Sequence, residues 1–266
     1  FHRFREPLPH SRLARLLILA ILAKLMLESG IVKFTFFDQD GSNAWRDFTA
    51  LDYHYWTQPL PHPLSAWIHS LPRWFDEFSL VSMYAVELAL PFLLFFPGNI
   101  RRIALLGQLL LQFAILLSGN YGFFNLLTMV LCIPLCADRM FAFLSRERIK
   151  VTQAEALSKF STGFGLALGL WALFLAISWK HLARDLQGNQ PEESPVLSYP
   201  KGIDEIEHAL RPLRCFNSYG LFRVMTRTRP EIIIETSRDA EDWHIVRFHW
   251  KASAPTDSPR FAGPHM

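Results

Sequence analysis

The chain has 266 residues, half of them hydrophobic, with 23 Phe, 8 Trp and a formal charge of +3 from 27 basic and 24 acidic side chains. So small and scattered an excess of positive charge excludes a nucleic-acid footprint, and three Cys without close paired spacing exclude a disulfide framework and a cysteine-based zinc site. The apolar residues gather into runs followed by a soluble stretch, which reads as one or two domains, the first in a bilayer. The chain begins at Phe1 rather than Met and shows no signal-peptide layout, as expected of a piece of a longer protein.

The first apolar run, residues 13–35, has the length of a membrane-spanning helix but carries Lys24, Glu28 and Lys33. Charges within a span are costly and face a partner or a wet cavity, so each is a functional candidate. Lys24 and Glu28 stand four apart and share a face; Lys33, nine positions from Lys24, points to the opposite side with Met26 and Gly30. Lys33 also lies about 14 Å along the axis from Lys24, near the outer interface, where a snorkelling lysine is routine.

Residues 30–63, GIVKFTFFDQDGSNAWRDFTALDYHYWTQPLPHP, are too polar to span and too apolar for a solvated linker. Trp45, Arg46, Asp47, Asp52, Tyr53, His54 and Gln58 read as a structured docking surface. Asp52, His54 and Gln58, close to Tyr53 and Tyr55, have the side chains of a metal or acid–base site, but neither HExxH-like spacing nor a phosphate loop accompanies them. A hydrogen-bonded interface segment without metal or cofactor is the expectation. Residues 64–78, with Trp67, Leu71, Trp74, Phe75 and Phe78 at helix-like spacing around Pro72, read as short helices at the membrane interface.

The second run, residues 79–96, carries Glu87 near mid-depth and a kinking Pro91. Antiparallel to the first run, it puts Glu87 level with Lys24, which predicts a buried Lys24–Glu87 pair, either structural or handling substrate or protons. Residues 103–117 and 126–136 form a third and a fourth span, both short. SGNYGFFN (residues 118–125) between them is therefore partly embedded, and Asn120, Tyr121 and Asn125 of this re-entrant turn need hydrogen-bond partners. Cys132 and Cys136 read as buried thiols. A basic loop at residues 138–160 precedes a fifth span, residues 164–179, rich in small residues suited to close helix packing. Basic loops flank one side, so the positive-inside rule puts residues 36–78 and the C-terminal tail on the non-cytoplasmic side.

From Lys180 the composition becomes soluble. The predicted organisation is a transmembrane helical domain at 1–182 with an interfacial loop at 36–78, a linker at 183–202, and an incomplete β-rich extracytoplasmic domain at 203–266. Its strands are expected at 221–227, 231–236 and 243–250, the last two joined by the turn RDAED. The fold class is thus an α-helical polytopic membrane protein of about five spans followed by a small β-rich soluble domain. No Ser sits in a nucleophile-elbow context, so the chain does not read as a lipase itself.

Three stretches, WRDFTALDYHYWTQPLPHPLSAWIHSLPRWF (45–75), SGNYGFFNLLT (118–128) and NSYGLFRVMTRTRPEIIIETSRD (217–239), closely resemble the lipase maturation factor family. The resemblance implies a multi-span membrane protein that helps secreted lipases reach their active fold and assembly, in the endoplasmic reticulum membrane if eukaryotic and the inner membrane if bacterial. It also implies membrane helices before Phe1 and a longer C-terminal domain. GIVKF (30–34) followed by Trp45 is more distantly similar to the membrane domain of vitamin K-dependent gamma-carboxylases, which implies a catalytic base at Lys33.

Three functions follow as expectations. The leading one is a non-enzymatic maturation factor whose partners are a secreted lipase or hydrolase client and the lipid bilayer. The alternative is a membrane enzyme using Lys33 as a base on a lipid or quinone-like substrate, and a transporter reading rests on Lys24, Glu28 and Glu87 alone.

Overall fold

The computed structural model of the chain describes residues 12–58, 60–119, 122–133, 136, 162–189, 197–220, 222–252, 254 and 257–261. Asn120, Tyr121 and the basic loop lie outside the described residues. The helices are α1 (Arg12–Thr35), α2 (Ala50–Thr57), α3 (Pro63–His69), α4 (Arg73–Tyr84), α5 (Leu90–Leu93), α6 (Asn99–Ser118), α7 (Gly122–Cys132), α8 (Thr162–Gln187) and α9 (Gly202–Leu210). Among the described residues, Asn99–Ser118 and Gly165–Gln187 are the helices both long and apolar enough to cross a membrane. α1 matches them in length but carries the three charges.

The helix α1 is the axis of the bundle, with α8 on one side and α5 and α7 on the other. Its apolar stripe, Leu19, Leu22, Ala23, Leu25 and Met26, is buried against Leu94, Ala104, Leu105 and Cys132. A second core lies beyond the end of α1, where Ala44, Trp45, Ala50, Leu51 and Tyr55 close over Leu80 and Tyr84. The helix α3 starts sharply because Pro63 presets its first turn and His62 and Ser65 form a reciprocal cap: the His62 ring accepts from Leu64 N at 3.1 Å and Ser65 Oγ accepts from His62 N at 2.8 Å.

Between α4 and α5 the helix widens into a π turn, Ala85–Ala89, in which Leu90 N reaches back to Ala85 O. The cause is Pro91. Its missing N–H leaves the Glu87 carbonyl without a helical donor and its ring would strike that carbonyl, a conflict that the wider turn relieves. The π turn packs against Gly30 of α1, where an added Cβ would lie 2.6 Å from Leu88 Cδ2 and 3.1 Å from Glu87 Cβ. A side chain at this position would force Leu88 to shift.

That contact corrects the expected ion pair. Glu87 pairs with Lys33, at 2.8 Å, and not with Lys24, which bonds Glu28 one turn along its own helix at 3.0 Å. The predicted span begins at residue 79, whereas the helix begins at Arg73, so Glu87 lies further along its helix than the apolar run implies and meets Lys33 near the end of α1 and not Lys24 at its middle. Lys33 is likewise no snorkelling lysine, being 5% exposed.

The C-terminal region carries less strand than the alternation of its residues predicts. Glu235–Thr236 (β1) pairs antiparallel with His244–Ile245 (β2), and Val246 N adds a bond to Ile234 O at 2.8 Å. The turn between them is held by Asp239, whose carboxylate accepts from Glu241 N and Asp242 N at 3.1 and 3.0 Å; these bonds push its pKa down to about 2. No second layer covers this hairpin among the described residues, and Ile232 and Ile233 stand 79% and 67% exposed. The first predicted strand is drawn elsewhere: Phe222 and Met225 pack into the core beyond α1.

Gly30→Ala is expected to destabilise the folded chain by about 1–3 kcal/mol through overpacking against Leu88 and Glu87. Thermal unfolding in detergent measures this, with Gly165→Ala, which meets nothing within 4 Å, as the neutral comparison.

Candidate functional site

Asn43 folds the chain back over the end of α1. Its amide donates to Lys33 O and Phe36 O, at 2.9 and 3.0 Å, and so satisfies carbonyls that the helix leaves open. Its Oδ1 accepts from Trp45 N and Arg46 N, at 2.9 and 3.1 Å. Trp45 thereby lies over the charge pair, with Lys33 Nζ 5.3 Å from its ring centroid. Two bonds pin it: Tyr84 Oη donates to Trp45 O and Trp45 Nε1 donates to Phe222 O, both at 2.9 Å.

Lys33 Nζ donates to Ser29 O at 2.8 Å and to both Glu87 oxygens, at 2.9 and 2.8 Å. All three ammonium hydrogens are used. A buried pair resists loss of either member, because the remaining charge has neither water nor partner.

The pair opens onto a cavity of about 500 Å3 between α1, α2, α4 and α6. Its walls are mostly apolar, among them Phe78, Met83, Leu110 and Ile115, while Ser29, His54, Gln112 and Asn125 add polar groups. Asn125 Nδ2 donates to Gln112 Oε1 at 2.8 Å, and Asn125 Oδ1 is buried with no hydrogen-bond partner among the described residues. The His54 ring stacks edge-on against Phe222 at 5.4 Å. Burial, and then the Lys33 ammonium, push its pKa down to about 4, so its imidazole is neutral near pH 7.

A second polar cluster occupies the opposite face of α1. Lys24 Nζ donates to Asn217 O at 2.6 Å and lies 3.3 Å from His181 Nδ1, while Glu28 Oε2 accepts from Tyr219 N at 2.8 Å. His181 Nε2 meets Glu207 Oε1 at 2.9 Å, and Lys180 bonds both Glu207 and Asp204. The segment leading into the C-terminal hairpin is thus held down on α1 and α8.

Residues 1–143 match the lipase maturation factor transmembrane domain, and residues 215–266 match the lipase maturation factor C-terminal domain. The chain belongs to the lipase maturation factor family. It is 28% identical to lipase maturation factor 2 of Gallus gallus over 97% of this chain and 48% of that protein. It is 30% identical to lipase maturation factor 2 of Rattus norvegicus over 97% and 49%, and 28% identical to lipase maturation factor 1 of Bos taurus over 92% and 44%. The chain spans about half the length of the curated relatives it matches. No solved structure matches it.

The expected docking residues divide. Trp45 and Gln58 are buried, the latter donating to Tyr55 O and Ser118 O at 2.9 and 3.1 Å. Arg46 and Asp47 are exposed, and Asp52, Tyr53 and His54 are half-buried. Of the residues read as a re-entrant turn, Asn125 donates to the buried Gln112 Oε1. Sequence reading missed Asn43, Gln112, His181 and Phe222. Gln108 and Gln112, four apart in an otherwise apolar span, were a usable signal of a polar inner face.

Two predictions follow from these geometries. Lys33→Met leaves Glu87 buried and unpaired and is expected to cost about 3–5 kcal/mol, whereas Lys33→Met with Glu87→Met recovers most of that loss; a double-mutant cycle on unfolding in detergent reads both values. For the second cluster, burial raises the Glu207 carboxyl, but the bonds from His181 and Lys180 outweigh it and hold its pKa below the ordinary value. A depressed carboxyl stabilises above its unfolded pKa of about 4.3 and loses that contribution as pH falls through the folded value. Hydrogen exchange of residues 202–220 should therefore quicken below about pH 4, and Glu207→Gln should weaken the pH dependence.

Proposed function

We propose that the chain is the membrane part, with the beginning of the soluble domain, of a factor that assists folding or assembly of a secreted lipase or related hydrolase on the non-cytoplasmic side. The observation that carries this reading, beside family membership, is the exposed apolar surface of the C-terminal hairpin: Ile232, Ile233, Trp243, Ile245 and Trp250 all stand more than half exposed. Exposed aromatic and β-branched side chains on a small hairpin suit contact with a client that is still folding. Arg46 and Asp47, which are exposed, are the further residues proposed to meet the client.

The proposed topology has five spans, α1, α4 with α5, α6, α7 and α8, with the C-terminal domain in the lumen or periplasm: the endoplasmic reticulum membrane if eukaryotic, the inner membrane if bacterial. It is supported by α1 and α8 ending together, where Thr35 Oγ1 donates to Asp185 O at 2.5 Å and Asn189 bonds both backbone groups of Phe37. The proposed domain limits are 1–182 for the membrane domain, 183–202 for the linker and 203–266 for the soluble domain, with residues 217–225 serving as a strap on the membrane domain.

The cavity beside Lys33 favours one second reading, a membrane enzyme with Lys33 as base on a lipid or quinone-like substrate. It requires the ammonium to leave Glu87 and surrender a proton. The two readings part in a cell that secretes a lipase dependent on this chain. Removal of residues 231–266, which keeps the strap, and the pair of changes Trp243→Ser and Trp250→Ser should each lower secreted lipase activity severalfold while membrane insertion is unchanged. Full lipase activity from both variants, with loss in a folded Lys33→Met variant, would reverse the preference.

A further inference from the structure

The cavity beside the charge pair has a door. The helices α4 and α6 scarcely touch, whereas α3 packs on α6 at one end of the gap and the π turn and α5 pack on it at the other. Phe78 and Leu110, which line the gap, are 62% and 58% exposed, and Ala114 beside them is exposed as well. Leu110 and Ala114 share the side of α6 that carries exposed Leu106, Phe113 and Leu117, and Phe78 faces them from α4. On a helix apolar and long enough to span, that side meets acyl chains. The opening is therefore lateral, into the hydrocarbon layer, and the volume falls in the range of sites that bury one small ligand.

We propose that this cavity is a lateral lipid site that takes one uncharged, single-tailed amphiphile with a hydroxyl head, such as a long-chain alcohol or a monoacylglycerol. The tail lies along Phe78, Met83, Leu110 and Ile115. The head reaches the polar groups of Gln112 and Asn125, where the buried Asn125 Oδ1 has no donor among the described residues and a hydroxyl supplies one. Charge sets the selectivity. Lys33 and Glu87 cancel one another at 2.8 Å and leave no excess charge to hold an ion. With the Lys33 hydrogens committed to Ser29 and Glu87, a carboxylate or ammonium head finds no uncommitted counter-charge to offset its desolvation. His54 adds no charge near neutral pH. The site goes beyond the client-binding reading and stands whether or not a lipase docks above it.

The test uses the purified whole chain in phosphatidylcholine nanodiscs with a diazirine-bearing long-chain alcohol, labelled residues being mapped by mass spectrometry. Labelling is expected at Phe78, Met83 and Leu110. It should fall with excess unlabelled alcohol or monoacylglycerol, and about tenfold more weakly with the matching fatty acid, alkylamine or methyl ether at neutral pH. Ala114→Trp, which fills the opening, should reduce labelling about tenfold, a loss of about 1.4 kcal/mol, while Leu106→Trp on the same exposed side but outside the cavity should not. Asn125→Leu should remove the preference for alcohol over methyl ether. Labelling spread over the outward face and indifferent to Ala114→Trp, or equal competition by alcohol and fatty acid, would overturn the proposal. The competition series uses the unaltered chain, so it decides the matter even where a variant does not fold.

Discussion

The ion pair between Lys33 and Glu87 is the constraint on which the rest of the structure depends. A buried pair adds little net stability over well-packed apolar residues, but it makes misalignment costly, because a slip of either helix strands two charges at several kcal/mol each. It therefore sets the register of α1 against the following span. The close approach that allows the pair comes from two backbone features, Gly30 on one helix and the π turn before Pro91 on the other. Without the wider turn, Pro91 would break the helix at the level where Glu87 must face inward.

What lies above the pair is built to keep water from it. Asn43 uses both ends of its amide to close the helix end and start the turn, and the indole of Trp45 then covers the ammonium. The cover is itself held from a distance of 177 residues by the carbonyl of Phe222. A charge pair in the membrane domain and a segment of the C-terminal domain thus share one tryptophan, which explains why residues 222–227 are not available to the hairpin. Phe222 and Met225 are packed into the second core, and the remaining alternating residues find no facing layer among the described residues.

The legible parts of the sequence were those that depend on one helix at a time. The 3.6-residue period put Lys24 and Lys33 on opposite faces of α1, and they do serve two separate clusters. The turn at residues 238–242 and an irregular helix before Pro91 were readable for the same local reason. The partner of Glu87 was not, since it turns on where a helix starts above its neighbour, and a run of hydropathy ends before the helix does: Arg73 to Phe78 are helical but only partly apolar. Strand in the C-terminal region failed for the converse reason. Alternation states that a face can be buried, and only another layer makes it so.

The two clusters on α1 are joined by the strap. Lys24 donates to the carbonyl of Asn217, Glu28 accepts from the N–H of Tyr219, and Trp45 donates to the carbonyl of Phe222. In each of these three bonds the membrane domain contributes a side chain and the strap contributes backbone, while strap side chains add Arg223 against Asp185 at 3.3 Å and Phe222 and Met225 in the second core. Gly220 sets the closeness of the approach: a Cβ there would lie 2.9 Å from Val32 Cγ2, a side chain with no exposed surface. A side chain at that position forces the strap or Val32 to shift, close to where the strap's backbone groups answer three buried or half-buried polar side chains. Gly30 and Gly220 therefore do equivalent work on the two approaches to α1, one admitting the helix that carries Glu87 and the other admitting the segment that leads to the C-terminal hairpin.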